Sequence, residues 1–372
     1  MAAFCSADAM TPSPAFNFAA GPARLPDAVL ERARDELFVR GADGASALER
    51  PFTGDAFRAT LARARERLAE LLALPSNYRI LFLAGGALHQ FSLVPMNLLG
   101  DARQAAYADS GYWSRRAMAE GAHYADVVLA ARHAGPVPLA APALGHWALP
   151  AGCAYCHITP NETVEGIAYP GLPDTGDVPL VADCTSCFLT GPVDVSRFGV
   201  LYASAQKNIG PAGLTVVVIR EDLLGRPAPR VPAPHCYRLQ AEHDSCVNTP
   251  PMWAIHVAGL VFDWIADAGG LAAMAAANRR KAERLYAAID RSEGFYAAPV
   301  ATGHRSGSNV RFHLADDRLT DTFLAEAGAH GLTHLRGHRQ VGGLRASLYN
   351  AMPEAGAAAL ADFMAGFARR HG

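Results

Sequence analysis

Two polar residues, Asp183 and Lys207, each stand just after an apolar run in this 372-residue chain. Residues 179–182 (PLVA) end abruptly in Asp183, and residues 200–204 (VLYAS) lead through Ala205 and Gln206 to Lys207, 24 positions further on. Such runs read as strands buried on both faces, and in open α/β sheets chemistry collects at the carboxyl ends of the strands. A lysine amine placed there can hold an aldehyde cofactor as a Schiff base, and a carboxylate on a second strand end can keep a pyridine nitrogen protonated, so that the ring draws electrons. This is the pairing that pyridoxal phosphate chemistry needs. Without that context, a lysine in the Gly/Pro-containing stretch 208–213 reads as an ordinary solvated residue.

The elements that must position this pair are legible in the pattern. Short, nearly continuous apolar runs recur at residues 80–83, 105–108, 127–130, 154–158, 180–182, 200–203 and 214–219, with helical patterns such as 115–120 between them. That alternation predicts an α/β domain with a mostly parallel central sheet. A helix is expected from Asp27 through Leu30, Ala33 and Leu37. A stronger one starts at Asp55, with Phe57, Leu61, Ala64, Leu68, Leu71 and Leu72 on one 3.6-period face and Arg63, Arg65, Glu66, Arg67 and Glu70 elsewhere. Residues 135–152 are rich in Pro, Ala and Gly and read as a surface connection. From about Trp253 the chain turns helical and closes on a helix that uses Leu360, Phe363, Met364 and Phe367. The expected organisation is a disordered leader over residues 1–15, a large domain over 16–267 and a smaller α+β domain over 268–372.

The formal charge of −2 argues against a nucleic-acid or anionic-membrane surface, which needs a concentrated basic field. No stretch approaches the roughly 20 apolar residues of a membrane span, and the first fifteen residues lack the basic and apolar segments of an export signal. These features predict a cytoplasmic protein that acts on small molecules. Seven cysteines fit reduced thiols better than a disulfide framework. Cys153 with Cys156, and Cys184 with Cys187, have a spacing that can bind zinc. The first pair borders a strand, however, where residues three apart face opposite sides, so buried free thiols and no metal are expected.

Residues 202–213 (YASAQKNIGPAG) resemble the cofactor-lysine motif of the phosphoserine aminotransferase family, a class V branch of the fold-type I aminotransferases. Further segments match in order: FNF at 16–18, AGPA at 20–23, PSNY at 75–78, GYW at 111–113, PNET at 160–163, NTPP at 248–251, GHR at 337–339, GGLRAS at 342–347 and YNAMP at 349–353. They span nearly the whole chain. The resemblance implies a pyridoxal-phosphate-dependent aminotransferase with glutamate as donor and 3-phosphohydroxypyruvate as acceptor. It implies that Lys207 carries the cofactor, Asp183 pairs with the ring nitrogen, Trp113 stacks on the ring and Thr163 bonds the phenolic oxygen. The phosphate falls to backbone N–H groups at Gly86 and Ala87, next to Leu88, to Thr185 and Gln206, and to Asn248 and Thr249 of a second subunit. That sharing implies a homodimer with composite active sites. Gly85 and Gly86 precede a helical pattern, whose N-terminal dipole suits an anion.

Arg345 takes the substrate α-carboxylate on the same resemblance, because a guanidinium fork matches a carboxylate bidentately. His338 and Arg339 add positive charge toward the distal anion of the substrate. The chain also departs from the pattern. Where the family carries Ser-His-Arg-Gly, whose His and Arg bind the distal anion, this chain reads Arg50, Pro51, Phe52, Thr53 and Gly54. Leu88 replaces an arginine of the Gly-rich loop. Arg24, Arg50 and His89 are candidate compensating cations. The alternatives are therefore a paralogue that uses a less anionic keto acid, or a non-catalytic protein that binds the cofactor.

Overall fold

The computed structural model describes residues 15–38, 44–227 and 231–372. Of the leader expected over residues 1–15, all but Ala15 lies outside the described residues. Each of the seven apolar runs forms a strand: Tyr78–Ala84, Gln104–Asp109, Asp126–Arg132, Cys156–Ile158, Leu180–Asp183, Val200–Ser204 and Leu214–Arg220. They make one seven-stranded sheet. From one edge to the other the order is Tyr78–Ala84, Leu214–Arg220, Val200–Ser204, Leu180–Asp183, Cys156–Ile158, Gln104–Asp109, Asp126–Arg132. Leu214–Arg220 runs antiparallel to both its neighbours and all other pairings are parallel. Asp183 lies in register with Tyr202, so the two strand ends that carry the chemistry are neighbours in space.

Burial on both faces explains six of the seven apolar runs; the exception is the edge strand Asp126–Arg132, which has one neighbour only and no buried residue. Helices Asp55–Leu71 and Met252–Asp267 cover one face, where Phe57, Leu61, Ala64 and Leu68 join Ile255, Ala258, Val261 and Phe262 in a core that also holds Leu201 and Ala203. Helices Ala87–Leu98 and Tyr112–Gly121 cover the other, with Phe91, Val94, Leu98 and Ala117 packed on Tyr107, Tyr202 and Val217. Neighbouring strand residues such as Leu201 and Tyr202 thus serve opposite cores.

A smaller core sits around a three-stranded antiparallel sheet of Tyr296–Ala297, Asn309–Leu314 and Leu344–Ser347. Helices Thr320–Ala329 and Glu354–His371 close it with a cluster of Phe312, Phe323, Phe363 and Phe367. Helix Gly270–Asp290 joins the two cores: Leu271 and Met274 pack in the larger, Ala282, Leu285 and Ile289 in the smaller. The segment Phe16–Asn17, grouped with the large domain on sequence order, instead pairs in parallel with Leu332–Thr333, and Phe18 is fully buried in the smaller core.

No single helix among the described residues is long and apolar enough to cross a membrane. Cys153, Cys156 and Cys184 are buried free thiols and Cys187 is partly buried. No group of three or more metal-ligating side chains occurs among the described residues.

Candidate active site

The ends of Leu180–Asp183 and Val200–Ser204 open onto a small cavity. It is lined by Ala87, Trp113, Thr159, Asn161, Thr163, Asp183, Thr185, Ser186, Gln206 and Lys207. Seven of these ten are residues singled out in the sequence. The turn after Asp183 is tied to its neighbour: the Thr185 amide donates to Asp183 Oδ1 at 3.0 Å, and the Ser204 amide donates to Thr185 Oγ1 at 3.2 Å. Ser204 Oγ also bonds Gln206 Oε1. The segment after Phe18 crosses over the lysine, with the Ala23 amide on the Gln206 carbonyl at 2.8 Å.

Lys207 Nζ donates to Thr163 Oγ1 at 2.5 Å and lies 5.8 Å from the centre of the Trp113 ring. Burial pushes this amine down to about 8; the Asp183 carboxylate opposes that shift and the Arg345 charge adds to it. An amine so placed is uncharged in an appreciable fraction of molecules near neutral pH, which suits a nucleophile and proton carrier. Asp183 is pushed the other way. Burial raises its carboxyl, while bonds from Thr185 and the Lys207 charge pull it back.

Strand Leu344–Ser347 brings Arg345 to the rim, where Nη1 donates to the Thr163 carbonyl at 3.2 Å. His338 stacks obliquely on Tyr112 with ring centres 5.1 Å apart, and Tyr112 meets Trp113 edge-on at 5.1 Å. Burial and the charges of Arg345 and Arg339 hold His338 below the usual imidazole range. Arg339 itself is exposed.

The wall that carries Trp113 rests on two buried carboxyls. Glu162 accepts from the Trp113 amide at 3.0 Å, the Ser114 amide at 2.9 Å and Ser110 Oγ at 3.1 Å, and Glu165 Oε1 accepts from the Tyr112 amide at 2.9 Å. Orphan N–H groups at a helix start favour such acceptors. Burial and the neighbouring Glu162 push Glu165 up to about 8. Gly111 is required here, because a Cβ would stand 2.6 Å from Glu165 Oε2.

Other sequence candidates lie elsewhere. Gly86 caps helix Ala87–Leu98, but the Leu88 side chain is exposed and does not line the cavity. His89 accepts from the Gly86 amide at 3.4 Å. Arg24 pairs with Asp27 at 2.6 Å. Phe52 and Thr53 line a separate groove with Arg65, His243 and Cys246, and Asn248 and Thr249 are exposed just beyond it. None of these four reaches the Lys207 cavity of its own chain. Sequence reading missed Thr159, Asn161 and Ser186 at the cavity, Glu162 and Glu165 beneath it, and the role of the 20–23 segment. The PNET and AGPA motifs were the available signals.

Pyridoxal phosphate is a flat pyridine aldehyde with a phosphate arm, and this cavity suits it. It offers an amine, a buried carboxylate, an aromatic wall, hydroxyls and a helix start, and two of its buried polar atoms, Trp113 Nε1 and Thr159 Oγ1, have no hydrogen-bond partner. The family model for class V aminotransferases matches residues 15–360. The chain is 50% identical over 361 residues to the phosphoserine aminotransferase of Acidithiobacillus ferrooxidans, covering 96% of this chain and 99% of that one. It is 47% identical over 358 residues to that of Pseudomonas putida, with 96% and 99% covered. Among solved structures, the phosphoserine aminotransferase of Bacillus circulans subsp. alkalophilus superposes with a TM-score of 0.93 at 41% identity, covering 96% of this chain and 99% of that one. The pyridoxal-phosphate-bound enzyme of Trichomonas vaginalis gives 0.89 at 38%, with 94% and 99% covered. Matched over nearly its whole length, the chain belongs to the phosphoserine aminotransferase family of class V and is a pyridoxal-phosphate-dependent transaminase of fold type I.

Proposed function

We propose that the protein transfers the amino group of L-glutamate to 3-phosphohydroxypyruvate, giving phosphoserine, as a cytoplasmic homodimer with shared active sites. The observation that carries this reading is that Lys207 and Asp183 line one cavity with Arg345 at its rim, in a chain half identical to phosphoserine aminotransferases. When bound, pyridoxal phosphate supplies an electron-accepting ring that stabilises negative charge at the substrate Cα. Asp183 would hold the proton of the ring nitrogen, Trp113 would pack on the ring, and Thr163 would bond the phenolic oxygen. Gly86, Ala87, Thr185 and Gln206 would hold the phosphate, joined by Asn248 and Thr249 of a second copy. Arg345 fixes the plane of the substrate carboxylate, and Lys207 Nζ takes the Cα proton and returns it.

A second reading rests on Phe52, Thr53 and Leu88, which offer no charge to a distal anion, and names a less anionic keto acid as acceptor. His338 and Arg339 supply positive charge on the first reading. A panel of keto acids with glutamate as donor decides between them. The expected result is a kcat/KM for 3-phosphohydroxypyruvate well above that for uncharged and aromatic acceptors. A preference for an uncharged acceptor, reversed by placing His at Phe52 and Arg at Thr53, would establish the second.

A further inference from the structure

Arg311 takes no part in the chemistry derived so far, yet it is only 7% exposed and lies directly opposite Arg345 in the antiparallel pairing of Asn309–Leu314 with Leu344–Ser347. Opposed residues of such a pair share a face, and like charges directly opposite one another destabilise a sheet. Folding stability alone therefore does not account for it. Its Nη2 donates to the Val341 carbonyl at 3.0 Å and meets His313 Nε2 at 3.0 Å, while Nε and Nη1 have no hydrogen-bond partner. The nearby acid whose charge it feels is Glu165, the carboxyl under the Trp113 wall.

Val341 belongs to the segment 337–343, which carries His338 and Arg339. Gly342 and Gly343 sit at φ +63° and +64°, conformations that glycine adopts at no steric cost, and the segment is correspondingly loose when unsupported. Its other hydrogen bonds among the described residues close on itself: Gly337 to Gly343, Val341 and Gly342 to the His338 carbonyl, and Gln340 to His338 Nδ1. Among the described residues, the bond from Arg311 is the side-chain hydrogen bond that ties it to the sheet. Two contacts add to it: Gly343 lies close against Phe312 and His313 of the strand, and the His338 ring meets Tyr112.

We propose that Arg311 is a positioning residue for transamination: a buried strut that holds segment 337–343 against the strand carrying Arg345, so that His338 and Arg345 face one substrate. This rests on the substrate-side roles given above to His338 and Arg345. An arginine suits the task because its guanidinium stays charged when buried and donates in several directions at once. A lysine would keep one donor and the charge; a methionine would fill the space and hold nothing.

The test uses the cofactor-loaded full chain as wild type, Arg311→Met and Arg311→Lys. Amide hydrogen exchange is read at Gly337, Val341 and Gly342 without substrate, and KM and kcat for glutamate are read in steady-state turnover with the best acceptor of the keto-acid panel at saturation. In Arg311→Met the three amides should exchange at least about tenfold faster, with the strand Asn309–Leu314 unchanged. KM should rise about tenfold and kcat stay within about twofold, the pattern of lost binding rather than lost chemistry. Arg311→Lys should recover most of the protection. Unchanged exchange in Arg311→Met would overturn the strut, as would acceleration spread evenly over the smaller core. If the methionine chain fails to fold, Arg311→Gln, too short to reach Val341, is read the same way. Exchange decides the strut and the keto-acid panel decides the acceptor, so either can fail alone.

Discussion

Two lysines in this molecule, one buried and one partly buried beside a cavity, have met opposite fates. Lys281 is 2% exposed, and its Nζ donates at 2.9 Å to each of three carbonyls, those of Leu348, Tyr349 and Met352. Lys207 has one hydroxyl acceptor, Thr163, and a cavity beside it. Burial pushes both amines down, Lys281 to about 7 and Lys207 to about 8. Perturbation by itself therefore does not identify a catalytic amine. What separates them is hydrogen-bond saturation: every N–H of Lys281 is spent on a carbonyl, and each of those bonds favours the ammonium, whereas Lys207 keeps room for a reacting partner. Lys281 serves the site at a distance. The turn it fastens carries Asn350, whose amide donates to Asn208 Oδ1 at 2.9 Å, next to Lys207 in the chain.

The contrast can be broken most directly by removing each amine. Lys207→Met should lower transamination by about 10⁴-fold, the upper range for loss of an acid–base group, with the melting temperature unchanged or raised. Steady-state rates with glutamate, beside a thermal melt, check both halves. A Lys207→Met chain that retained more than a hundredth of wild-type activity would remove the catalytic assignment.

Lys281→Met should do the reverse. Three carbonyls lose their donor, and leaving buried polar groups unmade costs about 1–3 kcal/mol each, so urea unfolding should move to clearly lower denaturant. The folded fraction should still turn yellow with pyridoxal phosphate and show kcat within about threefold of wild type. Loss of turnover at unchanged stability would mean that Lys281 acts in the chemistry.

A smaller effect sharpens the comparison. Each amine titrates lower in the folded chain than at its free value of 10.5. Between the folded and free values the unfolded chain binds more protons, and stability rises with pH across that window. In cofactor-free protein, Lys207→Met should abolish a rise in stability between about pH 8 and 10.5. The corresponding rise for Lys281 would open at about pH 7, but its three carbonyls oppose the shift, so Lys281→Met should remove less of the slope. Unfolding free energies at four or five pH values decide it, and a larger loss in the Lys281 variant would contradict the saturation argument.

Much of the site is legible in the sequence. Strands buried on both faces must be apolar throughout, so residues 80–83, 105–108 and 214–219 announced themselves, and the polar residues that interrupt such runs, Asp183 and Lys207, stood out for the same reason. Local patterns of this kind are set by side-chain periodicity over a few residues. The pairing of Phe16–Asn17 with Leu332–Thr333 escaped, because it joins segments more than 300 positions apart.

What the sequence by itself determined, then, was the seven strands of the central sheet, the helices that cover it, and the family; it also offered candidates to hold the cofactor. The tertiary structure decided which of them meet. It placed Arg345 over Thr163 across 182 positions, hung the Trp113 wall on Glu162 and Glu165, and set Arg311 beside Arg345 under a glycine-rich segment. It also left Phe52, Thr53, Asn248 and Thr249 on a surface away from the Lys207 cavity of their own chain. The physical reason is one of range. Burial and backbone propensity act on neighbours in the chain, but charge, hydrogen-bond saturation and cavity shape depend on partners that only packing brings within a few ångströms.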